Sequence, residues 1–323
     1  MTRTPFAARP WTGAALVVGS TIFFGINGVV SKVALQAGLA TTQLVQLRTL
    51  GAALTVLAVA ALVSPRGLRI TLVQARNLAI LGVVGVALVM WLYLVAIERL
   101  HVGIALLLEY TAPLLVALFA RFVLKERVRS RVWLAVALSL TGLTMVAQVG
   151  RGVSLDAVGV AAALGAALAL ATYFLLGERL LRGIDPWATS AWSMSFAALF
   201  WTILAPPWRL DPTLLGTAVT VPQTTTALPL WVFVMWVAVL GTAVPFTLVI
   251  LGLRMLGAAR TGLVGTLEPV LAGAFAWALL AEAMTPLQVL GGAVVVVGVM
   301  LAETARTRRA TAPAGPVPAL PER

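Results

Sequence analysis

Apolar runs of about 20 residues recur along nearly the whole chain, broken only briefly by Pro, Gly and charged residues. At about 1.5 Å per helical residue, each run is long enough to span a hydrocarbon core of roughly 30 Å. The breaks divide the sequence into ten predicted spans, at 13–36, 43–63, 77–97, 103–124, 132–149, 157–177, 187–205, 230–253, 258–280 and 286–303. The expected fold is therefore an all-α polytopic membrane protein with ten transmembrane helices. With 61% hydrophobic and 11% charged residues, against about 45–50% apolar and about 25% charged in soluble domains, no soluble domain has room to fit. The first run is too long for a signal peptide and lacks a small-residue cleavage site, so a retained helix is expected.

The net charge of +12 would suit a nucleic-acid partner if it clustered on one soluble face. It does not. With the N-terminus inside, the inner connections carry Arg66, Arg69, Arg76, Lys125, Arg127, Arg129, Arg131, Arg179 and Arg182, and the basic termini join them. The outer connections carry only Arg99, Arg151 and Arg209. Cytoplasmic loops retain Lys and Arg, so both termini are expected in the cytoplasm of a bacterial-type inner membrane, and the lipid bilayer replaces nucleic acid as the partner of a basic chain. There is no cysteine, and His101 is the only imidazole, so neither a metal nor another cofactor is expected.

The chain repeats itself. "ALLLEYTAPLLVALFARFVLKE" (105–126) and "TGLVGTLEPVLAGAFAWALLAE" (261–282) align at an offset of 156, pairing Pro113 with Pro269, Leu115 with Leu271, Phe119 with Phe275 and Glu126 with Glu282. The same offset pairs Gly85 with Gly241 and Gly142 with Gly298. A unit of five spans is odd, so its second copy must enter the membrane from the opposite side. Inverted repeats that rock about a site near the midplane are a recurring transporter design. The expected organisation is a cytoplasmic N-terminus (1–12), a first repeat (13–149), a second repeat (157–303) and a disordered cytoplasmic tail (304–323). The outer connection 206–229 reads equally as a short flap or a loose loop.

The five-plus-five arrangement, the "LEP" of Leu267 to Pro269 and the helix-ending Glu126 and Glu282 resemble the EamA-type drug/metabolite transporters over about residues 13–303. Within that superfamily, "IERLHVGIALLLEYTAP" (97–113) is most similar to the threonine/homoserine exporter group. The resemblance implies an inner-membrane exporter of amino acids or related metabolites.

Each repeated stretch carries one interior glutamate, Glu109 or Glu268. A charged residue at a helix centre costs about 2.5–3.5 kcal/mol on insertion scales, so it turns toward a partner or a cavity. Glu268 lies nearer the middle of its span and is the stronger candidate for a central site. The prolines add to this. Pro113 cannot donate to the carbonyl of Glu109, and Pro269 cannot donate to that of Gly265, so each freed carbonyl needs protein, water or ligand. A glutamate beside a broken hydrogen bond forms a polar cluster able to hold an ammonium group or a proton. Packing alone is the competing role for both acids. Lys32 and Arg48, inside their spans, are candidate ion-pair partners, with snorkelling to an interface as the alternative.

Asn27, Tyr93, Tyr110 and Tyr173 could hydrogen-bond a substrate or glue helices together. Trp91 and Trp192 could line an apolar cavity, although most of the tryptophans suit interfacial anchoring. The functional expectation is a secondary exporter of small metabolites by alternating access, proton-coupled or facilitative, with the protons and solute passing Glu268 and Glu109. A lipid flippase is the competing class. An intramembrane enzyme is disfavoured, because no HExxH, Walker loop or aspartate pair is present.

Overall fold

The computed structural model describes residues 10–100, 102–125, 128–146, 156–220, 227–280 and 285–304. Helices α1 (Pro10–Gln36), α2 (Thr41–Val63), α3 (Leu72–Gly82) and α4 (Val89–Arg99) open the chain, with α3 and α4 joined by a π-helical turn, Val83–Leu88. Then come α5 (Val102–Glu109), α6 (Ala112–Phe122) and α7 (Ser130–Val146). The second half repeats the order: α8 (Ala157–Leu180), α9 (Pro186–Leu204), a short α10 (Pro212–Leu215), and α11 (Leu230–Ala238) joined to α12 (Val244–Leu256) by a second π-turn, Val239–Ala243. It closes with α13 (Ala258–Gly265), α14 (Leu267–Leu280) and α15 (Pro286–Thr304).

Among the described residues, six helical segments are long and apolar enough to cross a membrane: Trp11–Gln36, Thr41–Val63, Leu72–Arg99, Ala105–Phe122, Ala157–Leu180 and Leu230–Leu256. Ser130–Val146 and Pro286–Leu301 are shorter apolar helices. The predicted span 103–124 is broken at Tyr110 and Thr111, and the predicted span 258–280 at Thr266. Proline explains both interruptions. Pro113 and Pro269 remove the amide that would carry the helix across the break, so each run splits into two helices.

Local chemistry sets the element ends. Asp156 accepts from the Gly159 amide at 2.7 Å and starts α8, and Asp185, followed by Pro186 at the first helical position, accepts from Trp187 at 2.9 Å and starts α9. Gly257, with φ of 80°, turns the chain from α12 into α13, whose first amide, on Ala258, donates to Glu178 at 2.7 Å.

The packing follows the sequence repeat. Gly13 faces Met255 and Leu256, and Gly159, its equivalent at an offset of 146, faces Arg99 and Leu100. Gly19 faces Leu248, and Gly165 faces Leu92. The first helix of each half thus packs on the other half: α1 on α12 and α14, α8 on α4 and α5. Helices α7 and α15, which correspond to each other, also pack together. Gly142 meets Gly291 and Val295, while Gly298 meets Ala135 and Ser139, so the two helices run antiparallel. Glycine lets these backbones touch: a Cβ at Gly142 would lie 2.6 Å from the Gly291 carbonyl oxygen.

The described part of the connection between α9 and α11 is a folded flap. It holds a 3₁₀ turn (Pro207–Arg209), α10 capped by Asp211, and antiparallel strands β1 (Ala218–Thr220) and β2 (Ala227–Pro229). Leu210, Leu214, Leu215 and Val219 pack onto the cluster of Val33, Leu44, Leu230 and Phe233, which closes this end of the bundle.

Candidate functional site

The two π-turns bring the centre of the bundle together. A π-turn widens the helix and leaves carbonyls out of their usual register, and such turns recur at functional sites. In α11–α12 the freed backbone faces α2, where Arg48 donates from Nε to the Thr242 hydroxyl at 3.0 Å and from Nη2 to the Gly241 carbonyl at 3.5 Å. Gly241 packs on Asn27 of α1, and Gly85, in the other π-turn, packs on Tyr173 of α8. Asn27 and Tyr173 are equivalent at the same offset of 146 that relates Gly13 to Gly159. The two glycine seats therefore place one polar side chain from each half beside a central space.

That space is a cavity of about 110 Å³. Asn27, Arg48, Tyr93, Glu109, Tyr110, Tyr173 and Glu268 all line it, with Ser20, Thr21 and Thr261 and the apolar rings of Phe24, Phe174 and Phe246. Tyr110 donates to Glu268 Oε2 at 2.6 Å across the gap between the two broken helices. Glu109, at the end of α5, is only 8% exposed, while Glu268, in the first turn of α14, is half-buried. The hydroxyls of Tyr173 and Thr261 are sealed from solvent and have no hydrogen-bond partner among the described residues.

Six of the eight predicted pathway residues thus converge, and two do not. Trp91 is 37% exposed and packs its ring 6.4 Å from that of Trp201. Trp192 donates its indole N–H to the Leu68 carbonyl at 3.0 Å and packs against Phe196. Both tryptophans brace helices away from the cavity wall. Arg48 does not form the expected ion pair with a glutamate among the described residues: the π-turn holds it, and a tyrosine occupies Glu268. The Lys32 side chain, His101, Glu126 and Glu282 lie outside the described residues. Pro113 is buried against Gly262 of α13, and Pro269 is buried at the start of α14.

Thr242 and Thr261 were not singled out by sequence reasoning. The signal for Thr242 was the Gly85/Gly241 match, because a glycine kept at one place in both copies marks a close approach and Thr242 follows it directly. Thr261 had no such signal. No group of three or more His, Asp or Glu residues able to hold a metal gathers among the described residues. The wall instead offers a guanidinium, two carboxyls and several hydroxyl-bearing residues among apolar rings, a composition suited to holding a small polar solute.

Known proteins share this organisation. The EamA-like transporter family model matches residues 11–148 and again 157–304. The threonine/homoserine exporter RhtA of Escherichia coli K12 is 31% identical over 213 residues, 64% of this chain and 64% of that protein, so the chain spans just under two thirds of the length of this relative. RhtA of Salmonella typhimurium SL1344 is 35% identical over 147 residues, 43% of this chain and 46% of its own length. The uncharacterized transporter YwfM of Bacillus subtilis 168 is 25% identical over 247 residues, 74% of this chain and 77% of its own. A solved crystal structure superposes with a TM-score of 0.72 at 16% identity, over 91% of this chain and 97% of that one, a likeness of fold alone. Since one family model matches both halves and together they cover most of the sequence, the chain belongs to the EamA-like transporter family.

Proposed function

We propose that this protein is a ten-span inner-membrane transporter, with both termini cytoplasmic, that exports small amino acids by alternating access and couples export to proton movement at Glu268. The observation that carries the reading is the central cavity, which Arg48, Glu109 and Glu268 line together with residues from both halves. The antiparallel packing of α7 on α15 and the matched glycine seats support inverted repeats, spanning 13–149 and 157–303, that can exchange conformations. The names of the RhtA relatives support an amino acid as cargo. A cavity of about 110 Å³ has room for about four water-sized groups at about 30 Å³ each, which favours a small solute over a lipid with acyl chains.

The test is reconstitution in liposomes with an internal pH dye and a panel of labelled amino acids, comparing wild type with Glu268→Gln. Solute-driven proton flux that vanishes in the folded Glu268→Gln protein is the expected result. Equal solute movement in both proteins with no pH signal would sink proton coupling and leave a facilitative carrier. No movement of any amino acid would sink the export reading.

A further inference from the structure

Arg48 is a buried cation, 7% exposed, in the wall of a cavity that also holds two carboxyl groups. One edge of its guanidinium is fixed by Thr242 and the Gly241 carbonyl. A guanidinium has five N–H donors in one plane, so an edge held in this way leaves the remaining donors oriented by the π-turn. Ion pairs between described residues join Arg99 to Asp156 and Arg182 to Glu178, and Arg48 is in neither. Of the two cavity acids, Glu268 is occupied by the Tyr110 hydroxyl. Burying a cation is costly, and the nearby Glu268, which offsets part of that cost through space, makes no direct ion pair with Arg48 and already accepts from Tyr110, so a ligand that brings an anion would relieve more of it.

We propose that Arg48 is the carboxylate subsite of the transport cavity, so that the ligand must be a zwitterion: its carboxylate on Arg48, and its ammonium group toward Glu268 and Glu109. The inference rests on the export reading above and deepens it by naming the group that selects amino acids over amines. The charged groups of the cavity come from different elements. The guanidinium comes from α2 and is positioned by α11–α12, whereas the carboxyls come from α5 and α14. Neither charge recognises a ligand unaided, since an amine would leave Arg48 without an anion and an acylated amino acid would leave the glutamates without a cation.

The experiment is counterflow of labelled L-threonine in liposomes, with competition by unlabelled L-threonine, its methyl ester, its decarboxylated amine and its N-acetyl derivative, in wild type, Arg48→Gln and Arg48→Lys. In wild type the ester and the amine compete at least about tenfold more weakly than the free amino acid, the range of a lost charged hydrogen-bond pair. Arg48→Gln weakens threonine competition by a similar factor and brings the acid-to-ester ratio toward one. Arg48→Lys keeps part of that ratio. A role confined to bracing the π-turn would lower stability and slow all solutes while leaving the ratio intact, and that result overturns the proposal. Equal competition by acid and ester in wild type overturns it as well, without needing any variant to fold, and leaves amino-acid export standing. If neither threonine nor any other small amino acid is carried, the export reading fails and the subsite fails with it.

Discussion

Replacing Gly85 by alanine tests whether the glycine seats in the π-turns position the site. A Cβ at Gly85 would lie 2.9 Å from both Cβ and Cδ2 of Tyr173 and 3.1 Å from its Cα. Ordinary contact begins near 3.4 Å, so α8 must retreat by about half an ångström, because neither Cα nor Cβ of Tyr173 can swing aside. Overpacking of this kind costs about 1–3 kcal/mol. Alanine recovers up to about 1 kcal/mol over glycine through helix propensity, which leaves a net loss of about 0–2 kcal/mol against wild type and the full overpacking cost against a glycine-to-alanine control in open space.

Gly241→Ala faces a different neighbour. Its Cβ would lie 2.7 Å from Asn27 Cγ and would overlap Oδ1, but the end of an amide side chain can rotate. The expected result is a smaller loss of stability than for Gly85→Ala and a larger loss of transport, since Asn27 must leave its place in the cavity wall. Gly28→Ala, on the same helix as Asn27, meets nothing within 4 Å and serves as the control. Thermal unfolding in detergent and counterflow transport read the two effects separately. If Gly85→Ala is as stable as Gly28→Ala, the close approach of Gly85 to Tyr173 does not hold the halves together and the argument is wrong.

Tyr110→Phe removes the 2.6 Å hydrogen bond to Glu268, a contribution of about 1–3 kcal/mol if the carboxyl is charged. In a double-mutant cycle with Glu268→Gln, the combined transport loss should fall well short of the sum of the single losses, and strict additivity would show that the contact plays no part. On the flap between α9 and α11, Asp211 accepts from the Thr213 hydroxyl and amide, which holds its carboxyl below the ordinary aspartate value. A lowered folded value means that the cap is present above the unfolded pKa and is lost as pH falls through the folded one. An NMR titration of the Thr213 amide should therefore show its midpoint below that of an exposed aspartate, and Asp211→Asn should abolish the transition. A midpoint at or above about 3.9 would refute the cap.

Much of the fold was legible because a hydrocarbon solvent restricts the chemistry. Apolar run length marked most of the helices, and the rarity of interior acids marked Glu109 and Glu268 from sequence alone. Proline marked the two broken helices, although not that the breaks would fall beside Tyr110 and Thr266. Partner choice was not legible. Arg48 has the same charge relation to both glutamates in sequence, but only the widened turn at Gly241 shows that its guanidinium is held by backbone. The tryptophans failed for the related reason that an aromatic ring in a span can face a cavity, a neighbouring helix or lipid, and spacing does not distinguish these. The flap was undecided because its short apolar residues gain a partner only through contact with α1, α2 and α11.

The two halves share a scaffold but divide the chemistry. Gly51 of α2 packs on Ala238, and the equivalent pair, Phe196 on α9 against Gly82, makes the same contact with the small and large residues exchanged. That correspondence, an offset of 145 between α2 and α9, places Ser193 where the other half has Arg48. By the offset of 156, Gly265 stands where the other half has Glu109, and Ala112 stands opposite Glu268. Every charged group of the cavity therefore has a small, neutral counterpart in the other half. Two charged copies would crowd like charges into one cavity, whereas this division leaves one guanidinium and two carboxyls there. On the transport reading proposed above, the repeat preserves the packing that an exchange of conformations would need, and its departures from symmetry would orient a bound solute.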